Sequence, residues 1–78
     1  MSQTAKKTAF RKFENGDVIA LFVDDIDPTF GSCDAFMLKE GHLPAEPSLA
    51  VELEPASTEE SKPLELELSR QGYQLSIV

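Results

Sequence analysis

Asn15-Gly16 stands between two apolar-rich segments, residues 8–13 and 18–23. Asn-Gly in that setting is the strongest short-range signal for a β-hairpin. A type I′ turn needs positive φ at both central residues, and Asn and Gly tolerate it best. The pairing then follows. Phe13 faces Val18, Arg11 faces Ala20 and Ala9 faces Phe22 on one side; Lys12 faces Ile19, Phe10 faces Leu21 and Thr8 faces Val23 on the other. The second strand is apolar on both sides and belongs inside a sheet. The first carries Arg11 and Lys12 and is expected nearer an edge, where lysines discourage stray pairing.

Downstream, residues 24–32 read as a loop, with Asp24, Asp25, Asp27, Pro28 and Gly31. Residues 33–38 read as a third strand and residues 39–47 as a second loop broken by Gly41, Pro44 and Pro47. Leu49, Val51 and Leu53 alternate with Ala50, Glu52 and Glu54, which predicts a fourth strand with the first three facing the core. Residues 64–68 alternate too, but their residue types favour helix over strand. Ser57 with Glu60 forms a capping-box pattern, and Gly72 suits the position just past a helix C-terminus. The prediction is a helix over about 58–71, kinked or restarted near Pro63. Ser61, Leu64, Leu68 and Gln71 then share one face and Leu66 lies outside it. Residues 73–78 close the chain as a strand. The expected architecture is α+β, of order β-β-β-β-α-β: a mostly antiparallel sheet of four to five strands with one helix on one face. Residues 1–7 are expected to form a disordered basic tail and residues 8–78 a single domain.

A chain of 78 residues supports one small domain, which buries only roughly 60% of its unfolded surface. A lone cysteine, Cys33, excludes an intramolecular disulfide framework and fits a reducing cytoplasm. No signal peptide is visible, and no apolar stretch nears the roughly 20 residues that span a bilayer. A soluble cytoplasmic protein is expected. The net charge of −7 is unevenly spread: residues 13–78 set all 14 acids against Lys39, Lys62 and Arg70, a net of −11. Phosphate repels such a body, which argues against direct nucleic-acid binding. The same charge steers a chain toward a basic protein surface, and it also serves simply to keep a small domain soluble.

Few residues carry chemistry. Cys33 and His42 are the only thiol and imidazole. As a pair, with Asp34 orienting the ring, they would make a nucleophile. No spacing places them together and no oxyanion-hole motif accompanies them, so catalysis is not expected. Zinc wants four ligands, and these two would have to recruit Asp34 and a further acid. The aspartates at 24, 25 and 27 fail the calcium-loop pattern, whose sixth and twelfth positions fall on Thr29 and Ala35 or on Phe30 and Phe36. The glycines form no phosphate loop. No cofactor or metal is expected. What remains is a surface: Asp24, Asp25, Asp27, Glu52, Glu54 and Glu60 are the candidate partner-binding residues. Cys33 and His42 are the alternative, a small-ligand site. Exposed Leu66 and an uncovered sheet face leave room for a homodimer.

The segment from Phe10 to Phe22, the Gly31-Ser32-Cys33 step, and the stretch from Pro55 through Glu59-Glu60, Leu64, Glu67-Leu68 and Gly72-Tyr73 to Leu75 resemble a widespread group of short uncharacterised bacterial proteins, also found on mobile elements and in phage genomes. That group begins with Phe-Arg-x-(Phe or Trp)-x-x-Gly-(Asp or Glu)-Val-Ile-Ala-Leu-Phe and ends with a Pro-Ala-Thr-Pro-Glu-Glu helix start and a Gly-Tyr-x-Leu strand. The resemblance runs from about residue 8 to 78 and implies the helix over the strand for 58–71. The middle departs from the group's Cys-x-Ser-Tyr-x-His-x-Gly-Gln-His pattern. Only Cys33 and His42 remain; Ala35, Phe36, Leu38 and Gly41 stand where the pattern has Ser, Tyr, the first His and Gln, and Glu40 where it has Gly. Any chemistry of that polar cluster is therefore expected to be lost. The resemblance implies the order of the fold and a mobile-element setting, not a mechanism. The acidic surface carries the expectation of function: a small non-enzymatic protein that binds a basic surface of a larger protein, and, if phage-encoded, inhibits a host defence or nucleic-acid machine.

Overall fold

The hairpin at Asn15-Gly16 forms, but one residue out of the expected register. In the computed structural model, which describes residues 5–78, strand β1 (Lys6–Lys12) pairs antiparallel with β2 (Val18–Ile26) as Lys12↔Val18, Phe10↔Ala20 and Thr8↔Phe22. The reason lies in the turn. Gly16 alone has positive φ, +92°. The Phe13 N–H donates to the Asp17 carbonyl at 2.8 Å and the Gly16 N–H to the Phe13 carbonyl at 2.9 Å. This is a three-residue loop, a type I turn followed by a left-handed glycine, in place of the two-residue type I′ turn. Asn15 serves through its side chain, whose Oδ1 accepts the Asp17 N–H at 3.0 Å. A one-residue slip changes which side chains share a face. Phe10 now lies with Ala20 and Phe22, and Ala9 with Ile19 and Leu21.

The architecture is α+β, with a mostly antiparallel sheet: β3 (Cys33–Met37), β4 (Gly41–Ala45) and β5 (Glu54–Pro55) join the hairpin in the order β4-β3-β2-β1-β5, and β6 (Leu75–Ile77) pairs parallel to β1. β1 is thus interior rather than near an edge. β2 flanks one side; β5 (Glu54–Pro55) and β6 share the other, at opposite ends. Lys6 and Lys7 pair with Leu75 and Ser76, so they belong to the sheet and not to the tail; residues 1–4 lie outside the described residues. β2 also runs further than expected and takes in Asp24, Asp25 and Ile26, with a bulge between Phe22 and Ile26 in its pairing to β3 (Cys33–Met37).

Two expected segments change type. Within the expected loop 39–47, residues 41–45 form strand β4 (Gly41–Ala45), entered through a tight turn in which Gly41 has φ +75°. Pro44 is tolerated there because an edge strand leaves one side without a partner. The expected fourth strand at 49–54 is instead a single helical turn, α1 (Leu49–Glu52), leading into β5. Leu49, Ala50 and Leu53 pack on the sheet, a helical spacing, while Val51 is turned outward.

α2 (Thr58–Arg70) lies where it is expected, but it does not restart at Pro63, and Gln71 is its exposed C-cap and not part of the buried face. Ser57 and Glu60 close a reciprocal capping box, with the Glu60 N–H donating to Ser57 Oγ and the Ser57 N–H to Glu60 Oε1. Gly72 ends the helix at φ +97°, the Gly72 N–H reaching the Ser69 carbonyl and the Tyr73 N–H the Leu68 carbonyl, a Schellman arrangement. Pro63 sits inside one continuous helix. Ser61, Leu64 and Leu68 are buried and Leu66 is exposed. The sheet therefore carries a core on each side: Phe10, Ala20, Phe22 and Phe36 under α2, and Ala9, Ile19, Leu21, Cys33 and Ala35 under α1.

Candidate functional site

The six carboxylates singled out in the sequence do not form one field. They divide between the two ends of β1, which its seven residues place roughly 20 Å apart at a strand's rise per residue. At one end, Lys6 Nζ donates to Asp25 Oδ2 at 2.7 Å and Lys7 Nζ lies 3.7 Å from Asp24 Oδ2. The hydrogen bond from Lys6 holds the Asp25 carboxyl below its ordinary value, and the same bond raises Lys6. Asp27 opens the β2–β3 loop and spends Oδ1 on the Thr29 N–H at 2.7 Å. At the other end, Glu60 is committed to the cap of α2 and to Lys12, whose Nζ lies 3.1 Å from Glu60 Oε2. The Ser57 backbone N–H, then Lys12, lower its pKa.

Glu52 and Glu54 remain, and the fold brings them to Glu14. β5 sets Glu54 opposite Lys12, the turn of α1 ends on Glu52, and the hairpin loop carries Glu14 just past Phe13. These three acids, with Lys12, Phe13 and Leu53, line a groove of about 500 Å³. Because Lys12 reaches Glu60, no lysine or arginine among the described residues lies within ion-pair distance of Glu14, Glu52 or Glu54. Phe13 and Leu53 are half-buried against the α1-side core and give the groove an apolar floor. Arg11 fixes one wall: its Nε donates to the Ala50 carbonyl at 2.7 Å and its Nη1 to the Phe10 carbonyl at 3.0 Å. Carboxylates above an apolar floor suit a lysine or arginine, whose methylene stem lies on apolar surface while its head takes the charge. Glu14 escaped the sequence reading. The signal was its place in the hairpin loop, hidden by the wrong turn type.

Cys33 and His42 are not brought together. Cys33 is buried among the small residues under α1, and burial pushes its thiol up, away from the thiolate a nucleophile needs. His42 pairs with Phe36 and lies on the α2 side. Its ring sits 5.0 Å from Phe36 and 5.7 Å from Tyr73, and Tyr73 stacks on Phe22 at 5.6 Å. Lys6 Nζ lies over both Phe22 and Tyr73. His42 Nε2 is 3.1 Å from Gln71 Oε1. The Gln71 amide nitrogen donates to Glu67 at 2.8 Å, and Arg70 grips Glu67 through two nitrogens. Gln71 therefore offers His42 an acceptor, which places the imidazole proton on Nε2. This chain ties edge strand β4 to the end of α2.

Among the described residues, no group of three or more His, Cys, Asp or Glu is placed to hold a metal ion, and no helix is long and apolar enough to cross a membrane. Comparison with protein-family models, curated proteins and solved structures finds no match to this chain.

Proposed function

We propose that this chain is a small non-enzymatic interaction protein of the cytoplasm that binds a basic segment of a larger protein. The observation that supports this is the groove lined by Glu14, Glu52 and Glu54 over Phe13 and Leu53: Lys12, on its wall, is paired with Glu60, and among the described residues no lysine or arginine is within ion-pair distance of the three carboxylates. An acidic body with net charge −7 adds long-range attraction to such a partner. The resemblance to mobile-element proteins gives the reading a concrete form: an inhibitor that occupies the basic groove of a host defence or nucleic-acid machine.

Fluorescence anisotropy with labelled arginine-rich and glutamate-rich peptides tests the groove. Binding of the basic peptide alone, weakened by salt, is expected. The double variant Glu52→Lys, Glu54→Lys should weaken it by about tenfold or more, while Glu40→Lys, at an exposed position outside the groove, should change it much less. Equal losses from both variants would reduce the effect to overall charge and sink the groove reading. A pull-down from nuclease-treated host lysate, washed at low and high salt, then identifies the partner.

A further inference from the structure

We propose that the β2–β3 loop is a second docking element, whose Phe30 enters an apolar pocket flanked by lysine or arginine on a partner protein. Of the five phenylalanines, Phe10, Phe22 and Phe36 are buried and Phe13 is half-buried, whereas Phe30 is 81% exposed. The loop that presents it is fixed by its own hydrogen bonds. The Asp27 N–H donates to the Ser32 carbonyl at 2.7 Å and the Gly31 N–H to the Asp27 carbonyl at 2.7 Å. Asp27 Oδ1 accepts the N–H groups of Thr29 and Phe30. A loop backbone fixed in this way loses little freedom on docking, and buried aromatic anchors dominate many interfaces.

The surface beside the loop defines the partner's chemistry. A dent of about 360 Å³ is lined by apolar Ile26, Pro28 and Pro44 and by Asp25, Asp27 and Asp34. Lys6 engages Asp25 and backbone N–H groups engage Asp27, but no cation among the described residues is within ion-pair distance of Asp34. As Phe30 enters the partner, a cationic side chain of the partner would fill this dent. A second copy of this chain would bring the same carboxylates to the contact, and an anionic lipid surface would be repelled by them. A basic protein surface is the occupant that the charges fit. This loop lies at the opposite end of the β1–β2 hairpin from the Glu14 groove, so the inference stands apart from that reading.

The test replaces Phe30 by photoreactive p-benzoylphenylalanine in the full chain, expressed in its source cells, with the same replacement at exposed Leu66 as the control. The expected result is one discrete protein adduct from position 30, mapped by peptide sequencing to an apolar pocket beside lysine or arginine, and none from position 66. Added unmodified chain should compete the adduct away and the Phe30→Ala chain should not. Asp34→Lys should lower its yield by roughly fivefold. An adduct with a second copy or with lipid, equal adducts from both positions, or no adduct overturns the proposal. Persistence of the adduct in the Glu52→Lys, Glu54→Lys chain separates this loop from the groove.

Discussion

The two faces of the sheet share the same strands but are closed by different means. Under α2 the core is large and aromatic, with Phe10, Phe22 and Phe36 against Leu64 and Leu68. Its cover is a 13-residue helix capped at both ends. Under α1 the core is smaller in grain, with Ala9, Cys33 and Ala35 beside Ile19 and Leu21. Its cover is a single turn of four residues, far too short to hold itself together. Arg11 pins that turn from the sheet. One face is closed by a helix whose local signals agree with its packing; the other is closed by a strap that exists only because of its distant contacts.

Substitutions on the two faces should separate these modes. Leu68→Ala opens a cavity at a fully buried site and should cost about 2–5 kcal/mol in denaturant unfolding. Leu53→Ala, under the strap and half-buried, should cost about 1–2 kcal/mol. Equal losses would mean that the two covers contribute alike. Arg11→Met keeps the stem but removes both hydrogen bonds, for about 1–3 kcal/mol. Amide exchange should then rise at residues 49–53 and stay unchanged in α2; a uniform rise would mean that the strap does not open independently. Ser57→Ala should cost about 1 kcal/mol and show as fraying at the start of α2. The smallest effect is that of pH. Asp25 and Glu60 have folded pKa values below their ordinary ones. Their stabilising contribution is present above the unfolded carboxylate range and is lost as pH falls through the lowered values. Lys6 is shifted upward, so its contribution holds below its ordinary value and is lost as pH rises through the raised one. Asp25→Asn should flatten part of the acid limb of a thermal-melt series, and no change there would discount the Lys6 pair.

The same contrast explains what could be read from the sequence. α2 was legible because Ser57, Glu60, Leu64, Leu68 and Gly72 encode start, face and stop within one segment. The strap was not, because Leu49, Ala50, Val51, Glu52 and Leu53 satisfy both an alternating and a helical pattern. The deciding contact, from Arg11 to Ala50, comes from 39 residues away. The hairpin was legible as a hairpin, but the choice between a two- and a three-residue loop turned on whether Asn15 takes positive φ, and it does not. That single choice set the register, and with it the place of Glu14. In the candidate groove Glu52 and Glu54 were visible as acids. That Lys12, on the groove's wall, pairs with Glu60 and not with them depends on α2 lying over β1's end.

The parallel pairing of β6 with β1 has a consequence for the order of assembly. Lys6, Lys7 and Thr8 meet Leu75, Ser76 and Ile77, so strands far apart in the sequence must find each other. The ribosome must release every residue between the two strands before that ladder can close. Until then β1 pairs with β2, and with β5 at Arg11 and Lys12, but its other edge stays open from Lys6 to Thr8, a template for wrong partners. Pairing over so long a separation is slow, and its lysines and the acidic character of the chain are then the main protection against aggregation.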